Sequence, residues 1–386
     1  MTQTRDAGPH RILFAHTSSL SSLFVSGQID HFAAHGFEPH YAAAWDESSR
    51  PPDLEVPVWR LPLVRPPAPL RDAIALLAAV RLLRRLRPAV VHSGTPKAGL
   101  IVTAAAWVTR RPVRIYAVHG LRYQTATGWR RRLLRGIERC AAWFASDVVA
   151  DSDSIRHLLQ ADLRIDRSKL HVLGPGSSNG VDMQRFHGGI DRAAARRQLG
   201  IDDDTLVIGF VGRLTRDKGL DDLVALHRTL SADLEVVLLV LGREEPDDPI
   251  ETATRDHLRA GVDVKLISWT DRPEDAYRAM DLLVFPSFRE GLPNVPLEAQ
   301  ASGIPVVGYR ATGTIDAVPD PSALVPVGDR AALIDAVRTA LDEPDELRRE
   351  GERARHWVAR FDSDAVWSAR RTFVEQRLSE ARRPGR

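Results

Sequence analysis

The chain of 386 residues is poor in cysteine, in lysine and in long apolar runs. Its single cysteine, Cys140, excludes an internal disulfide framework and fits a reducing compartment. The longest uncharged apolar stretch, "AGLIVTAAAWVT", lies between Lys97 and Arg110 and is too short to span a bilayer. The N-terminal "MTQTRDAGPHRILFAH" lacks the apolar core of a secretory signal. These absences lead to the expectation of a cytoplasmic protein, soluble or peripheral on the inner face of the cell membrane. Net charge is +2, so no strong field for nucleic acid is implied and no nucleic-acid partner is expected. No fixed-period repeat or long low-complexity segment is evident. The lysines are Lys97, Lys169, Lys218 and Lys265 alone; in a chain that otherwise chooses arginine, each is worth weighing.

What is present is alternation. "RILFAH", "FEPHYAAA", "AVVHSG", "VRIYAV", "DVVADS" and "LHVLGPG" read as strands. Helical stretches at 72–87, 97–109, 129–145 and 153–162 lie between them, and a Pro-rich loop lies near position 65. Such βαβ alternation predicts a parallel sheet. The turn-rich "GPGSSNGVD" (174–182) breaks the pattern and reads as a linker. Alternation then restarts with "LVIGFVG", "LEVVLLVLG", "DVKLIS", "LLVFPS", "IPVVGY" and "ALVPV", with helices near 218–231, 249–259, 294–302 and 329–342. The tail from 345 reads as amphipathic helix anchored by Trp357, Phe361, Trp367 and Phe373.

Two segments of the second half concentrate functional residue types. In "DLLVFPSFREGLPNVPLEAQASGIPVV" (281–307), Glu290 falls on the loop at a strand's carboxyl end. Glu298 falls in the first turns of a helix for which Asn294 is the candidate N-cap and Gly303 the stop. Ligands bind at that edge of open α/β sheets. The plainer reading of Glu298 is complementation of the helix dipole. In "GFVGRLTRDKG" (209–219), Gly212 lets backbone approach a ligand, and Arg213 and Lys218 bring two cations to a strand end, a place that suits a diphosphate. The plainer alternative is a solvated basic loop capped by Asp217. The stretch lacks P-loop spacing.

Taken with "GSSNGVD" and "ATGTIDAV", these motifs resemble the retaining glycosyltransferases of family 4. The resemblance implies an α/β chain of GT-B fold, two Rossmann-like domains with parallel sheets facing across a cleft. It implies residues 1–178 as the acceptor domain, 179–362 as the nucleotide-sugar donor domain, and 363–386 as a C-terminal helix returning to the first. It assigns Arg213 and Lys218 to the donor diphosphate, Glu290 to the transferred sugar and Glu298 to the ribose hydroxyls. Gly212, Gly291, Leu292 and Asn294 then line the donor loops, although Pro293 has no amide to offer. His119 in "YAVHGLRYQTATG" resembles the family's histidine near the transferred sugar, which makes His119, Glu290, Arg213 and Lys218 the implied catalytic set. Acceptor-side candidates are Ser18, Ser19, Lys97 and Arg122. Lys97, at a helix start in "HSGTPKAG", reads equally as a phosphate ligand and as a solvated terminus. One departure is "HTSSLSSLFVSG" (16–27), which stands where many relatives carry a Gly-rich loop.

The resemblance further implies a UDP-sugar as donor substrate, with no metal and no other cofactor. The "HGLRYQTATG" and "GSSNGVD" wording resembles the branch that builds bacterial surface polysaccharides, which implies a lipid-linked, polyprenyl-diphosphate saccharide as acceptor. The alternatives are a soluble natural-product tailoring enzyme acting on a small-molecule acceptor, and a catalytically silent sugar-binding protein.

"WRRRLLRGIERCAAWF" (129–144) puts Trp129, Leu133, Ile137, Cys140 and Phe144 on one helical stripe and Arg131, Arg132, Arg135 and Arg139 mainly elsewhere. Either the stripe packs on its own sheet and the arginines are solvated, or the basic face makes peripheral contact with an anionic membrane. Other signals are discounted. His31 and His35 have ligand spacing without an apparent third partner, "DDD" at 202–204 reads as a turn, and no dinucleotide fingerprint occurs.

Overall fold

The computed structural model describes residues 9–45, 53–64, 66, 68–245, 248–261, 263–268 and 270–383. Part of the N-terminal stretch (1–8) and two positions of the Pro-rich loop (65 and 67) lie outside the described residues. The chain divides into two compact units, Met1–Asn179 with Asp364–Arg386, and Gly180–Ser363.

The first unit holds seven parallel strands: β1 (His10–Ala15), β2 (Phe37–Ala43), β3 (Val58–Arg60), β4 (Val90–Gly94), β5 (Val113–Val118), β6 (Asp147–Ala150) and β7 (Leu170–His171). Their spatial order is β3-β2-β1-β4-β5-β6-β7. Both faces of the sheet are covered, which is why its strands read as near-continuous apolar runs. Ile12, Phe14, Val90 and Ile115 pack on one side with Phe373, Val374 and Leu378 of helix Ser363–Arg382. Leu13 and Ala15 pack on the other with helices Pro69–Leu86 and Pro96–Val108. The strand expected over 170–176 stops at His171, because left-handed turns at Gly174 (φ 56°) and Gly176 (φ 100°) end it. The short strand β3 was not anticipated; its three residues are too few to show an alternation.

The second unit holds six parallel strands: β8 (Leu206–Val211), β9 (Val236–Leu241), β10 (Val264–Ile267), β11 (Leu282–Phe285), β12 (Val306–Tyr309) and β13 (Leu324–Val325). Their order is β10-β9-β8-β11-β12-β13. Helices Met183–Gly188, Arg192–Leu199, Pro273–Ala279 and Thr314–Ala317 were missed; at eight residues or fewer, none repeats its apolar face more than about twice. The tail is two helices, Pro344–Val358 and Ser363–Arg382, parted by the 3-10 turn Ala359–Phe361. Phe361 is buried, its carbonyl accepts the Val181 amide at 2.9 Å, and the Val181 carbonyl accepts that of Ser363 at 3.1 Å. This pairing ends one helix in the second unit and starts the next in the first.

Candidate active site

In the second unit, strand order reverses between β8 and β11. The loops after these strands part there, and open α/β sheets bind ligands at such switch points. Lys218 comes from the loop after β8 and Glu290 from the loop after β11, and the two meet there. Lys218 Nζ donates to Glu290 Oε1 at 2.5 Å, and Ser287 Oγ donates to the same oxygen at 2.6 Å. The Glu290 amide donates to the Thr312 carbonyl after β12 at 3.0 Å, so three strand ends position one carboxylate. Beside it Asp217 joins Arg289 (2.7 Å) and the Thr215 hydroxyl (2.7 Å). Burial opposes ionisation of Asp217, but these two partners, with the charges of Lys218 and Arg213, outweigh it and hold the carboxyl below its usual range. Asp217 therefore braces the loop after β11 and is more than a helix cap.

Gly212 has φ 149°, in the region that favours glycine, and only the Phe210 ring stands near its Cα, 3.4 Å from where a side chain would begin. Arg213, 54% exposed, pairs with Glu245 at 3.0 Å from the loop after β9. Both cations expected at a diphosphate are thus held by carboxylates of the chain itself. The glycine and loop positions expected beside them follow Glu290 directly: Gly291 and Leu292 are buried.

Asn294 is not the N-cap of its helix. The helix is Asn294–Ala301, and Pro293, with φ −74° and ψ 130°, occupies the cap. The proline ring fixes the extended entry, so Asn294 becomes the first helical residue. Its Oδ1 is buried without a hydrogen-bond partner among the described residues. Glu298 is consequently the fifth helical residue, beyond the first turn in which the dipole acts. It is half-buried and accepts from the Tyr277 hydroxyl at 2.8 Å. Burial pushes its carboxyl above the usual range, and the tyrosine hydroxyl opposes that shift. Dipole complementation does not account for this placement.

In the first unit, His119 follows β5 and donates from Nδ1 to Asp151 Oδ2 at 2.8 Å. Arg370 Nη2 donates to the other oxygen of Asp151 at 3.2 Å and to the Ser177 carbonyl at 2.7 Å. Sequence reasoning missed Asp151, Arg370 and the neighbouring His16. The alternation Ile12–Phe14–His16, which runs one residue past β1, is the signal that could have found the last. "HTSSLSSLFVSG" forms a 3-10 turn (Ser19–Phe24) and the start of helix Ser26–Ala34. Ser19 is buried and Ser18 half-buried. Lys97 donates to the Pro66 carbonyl and pairs with Asp72 at 2.8 Å, so it is no solvated terminus but ties a loop to two helices. Arg122 is exposed.

The helix Gly128–Phe144 does not pack its apolar stripe inward, the first of the two readings of its sequence. The buried face carries Glu138, Ala141 and Ala142. Glu138 accepts from the buried Tyr116 hydroxyl at 2.5 Å, and burial pushes its carboxyl up to about 7. Trp129 and Leu133 of the stripe are 67% and 40% exposed, Cys140 is exposed, and Ile137 and Phe144 are half-buried. Arg131, Arg132 and Arg139 are exposed, and Arg135 is half-buried, donating to the Asp162 carbonyl. Trp143, also exposed, clusters with Trp107 (ring centroids 5.5 Å apart) and Phe144 (4.8 Å).

The "DDD" segment precedes β8, at the opposite end of that strand from Arg213 and Lys218, and Arg196 gathers the carbonyls of Asp202, Asp203 and Thr205 there. His35 Nδ1 lies 2.7 Å from the His31 carbonyl. Among the described residues no group of three or more His, Cys, Asp or Glu is arranged to hold a metal ion. No described helix is long and apolar enough to cross a membrane.

Comparison with known proteins gives the family. Residues 191–357 match the family described as Glycosyl transferases group 1, and residues 22–176 match the Glycosyl transferase 4-like domain. The chain is 32% identical over 375 residues to the capsular polysaccharide biosynthesis glycosyltransferase CapM of Staphylococcus aureus, covering 96% of this chain and 98% of that one. It is 24% identical over 249 residues, 63% of each chain, to the UDP-Gal:alpha-D-GlcNAc-diphosphoundecaprenol alpha-1,3-galactosyltransferase of Escherichia coli. The Anabaena protein HepE, solved in complex with UDP-glucose, superposes with a TM-score of 0.75 over 96% of this chain and 98% of that chain at 19% identity. With both halves matched and near full-length similarity to a glycosyltransferase, the chain belongs to the group 1 glycosyltransferases of GT-B fold, and its first unit is their family 4-like domain.

Proposed function

We propose that this glycosyltransferase moves a sugar from a UDP-sugar, with retention of configuration, to a hydroxyl of a polyprenyl-diphosphate saccharide during synthesis of a capsular or other surface polysaccharide. The observation that carries the donor half is the meeting of Lys218 and Glu290 at the switch point of the second unit, with Arg213 beside them. Two cations and a sugar-reading carboxylate at one strand edge suit a diphosphate joined to a sugar. The capsular CapM of Staphylococcus aureus and the diphosphoundecaprenol-directed enzyme of Escherichia coli support the acceptor.

In this reading Arg213 and Lys218 hold the diphosphate, Glu298 the ribose and Glu290 the transferred sugar. The bond from the anomeric carbon to the diphosphate oxygen breaks as the acceptor oxygen bonds the same face. The departing phosphate takes the acceptor's proton. Charge grows on the leaving group, where preorganised cations stabilise the transition state most. Two protein cations serve that charge, so activity is expected to persist in excess EDTA.

The outward stripe of Gly128–Phe144 supports a peripheral stance on an anionic leaflet, where the acceptor resides. The test is a screen of nucleotide-sugars for hydrolysis, followed by transfer to polyprenyl-diphospho-sugars and to soluble aglycones. Hydrolysis of a UDP-sugar and transfer to the lipid-linked acceptor are expected. Transfer to soluble aglycones alone would replace this reading with that of a tailoring enzyme.

A further inference from the structure

Two ion pairs of opposite polarity cross one gap in the second unit. The loop after β8 ends in the 3-10 turn Arg216–Lys218, and the loop after β11 runs from Pro286 to Pro293. Lys218 of the first loop reaches Glu290 of the second at 2.5 Å. The residues just before them pair the other way round: Asp217 of the first loop reaches Arg289 of the second at 2.7 Å.

The reversed pair is well enclosed. The Arg289 and Asp217 side chains are 20% and 11% exposed. The Thr215 hydroxyl donates to the other oxygen of Asp217 at 2.7 Å, so the carboxylate is aimed from its own loop. The turn after Lys218 abuts the end of β11. Gly219 has φ 71°, and a side chain there would run into the Pro286 carbonyl. The two loops therefore meet in one register.

Arg289 stands between two backbone anchors. The Phe288 amide donates to the Asp217 carbonyl at 2.9 Å, which ties Phe288 to the loop of Lys218. The Glu290 amide donates to the Thr312 carbonyl at 3.0 Å, which ties Glu290 to the loop after β12. The Arg289 side chain links the peptide between these anchors back to Asp217, the residue next to Lys218.

The polarity matters when a diphosphate arrives. An ammonium has three protons, so phosphate oxygens share Lys218 with Glu290 and weaken that tie. They offer nothing to Asp217, an anion, which keeps the Arg289 fork. The pair of reversed sign outlasts the event that loosens the first. Its value for rate is geometric, because a misplacement of about 1 Å among reacting groups can cost on the order of 100-fold.

We propose that Asp217 and Arg289 are positioning residues for glycosyl transfer: their pair holds the loop after β11 against the loop after β8 and keeps Glu290 in register with Lys218 while a donor is bound. This rests on the donor reading above for what meets Lys218 and Glu290.

The test compares wild type with Arg289→Gln, Arg289→Lys, Asp217→Arg and the exchanged pair, Asp217→Arg with Arg289→Asp. Hydrolysis of the nucleotide-sugar that the wild type cleaves fastest gives kcat and KM, and calorimetry gives UDP binding. Arg289→Gln removes the charge and keeps most of the stem. It should lower kcat about 10- to 100-fold while UDP binding stays within about threefold of wild type. Arg289→Lys leaves Asp217 a cation and should restore part of kcat. The exchanged pair should exceed Asp217→Arg alone by about tenfold in kcat, because the link re-forms with its ends reversed. A kcat of Arg289→Gln within threefold of wild type overturns the inference, even if the variant is less stable. UDP binding weakened tenfold or more in Arg289→Gln makes Arg289 a donor ligand and overturns it too. An exchanged pair that folds and is no better than Asp217→Arg does the same; the readings on Arg289→Gln stand whether or not the exchanged pair folds. A wild type that hydrolyses no nucleotide-sugar overturns the donor reading instead, and the inference falls with it.

Discussion

Lys218 and Glu290 lie 72 residues apart in the chain and 2.5 Å apart in space, and each side chain is 13% exposed. A pair so enclosed differs from a surface ion pair, which contributes about 0–1 kcal/mol. Removing one partner leaves the other short of compensation. Lys218→Ala should lose on the order of 2–4 kcal/mol of transition-state stabilisation, about 30- to 1000-fold in kcat/KM, with the fold retained because both groups sit on loops. Steady-state kinetics with a circular dichroism control reads this. Turnover near wild type would remove Lys218 from the diphosphate.

Glu245 makes the opposite prediction. It holds Arg213 at 3.0 Å in a pair whose arginine is mostly open to solvent. The pair is therefore weak, yet its carboxylate stands where a diphosphate would compete for the same guanidinium. Glu245→Gln removes that competition at little cost in stability. UDP should bind about three- to tenfold tighter by calorimetry. Weaker binding would mean that Glu245 aims Arg213 rather than competes with it.

How much of this was legible beforehand depended on whether a feature is local. The strands β8, β9, β11 and β12 were evident because strands buried on both faces are apolar throughout. Glu290, Arg213 and Lys218 could be singled out because strand-end loops carry site residues and the motifs are contiguous. The Lys218–Glu290 contact itself was not legible, since it depends on β11 pairing beside β8. Asp151 and Arg370 escaped for the same reason: 219 residues separate them, and each alone looks like an ordinary charge. Gly128–Phe144 misled because hydropathy treats Glu138 as a surface residue, whereas Tyr116 satisfies it in the interior. Packing of the larger apolar stripe on the sheet therefore stood as one of two open readings.

Acid should destabilise the first unit. Burial lowers His16 to about 3 and His92 well below its usual value, with Arg370 and the neighbouring imidazoles adding to the effect on His92. In the unfolded chain both titrate near 6.5. Between about 6.5 and 3 the unfolded state thus binds more protons than the folded one, so stability rises with pH in that window and is lost as pH falls. Each such group contributes a slope of up to about 1.4 kcal/mol per pH unit. Asp151, whose carboxylate faces His119 and Arg370, does not reach His16 through any hydrogen bond of its own. The Tm should fall from pH 7.5 to pH 4.5, and His16→Phe should fall less steeply. Parallel curves for the two proteins would show that His16 takes up a proton in the fold.

The exposed face of Gly128–Phe144 leads to a prediction about place of action. Trp129, Leu133 and Trp143 stand in solvent beside Arg131, Arg132 and Arg139, and Trp107 extends the aromatic group from the neighbouring helix. Arginines attract an anionic leaflet at about 1 kcal/mol each near its surface, and tryptophans seat well at headgroup depth. The protein should co-sediment with phosphatidylglycerol vesicles at low salt, less at high salt, and little with phosphatidylcholine. Arg131→Glu with Arg132→Glu should weaken binding about tenfold or more, because two attractions become two repulsions. Trp129→Ser with Trp143→Ser should weaken the part that survives high salt. All four side chains are exposed, so the fold and UDP binding should not change. Vesicle binding equal to wild type in both double variants would show that this face does not meet the membrane. The outward stripe would then need another partner.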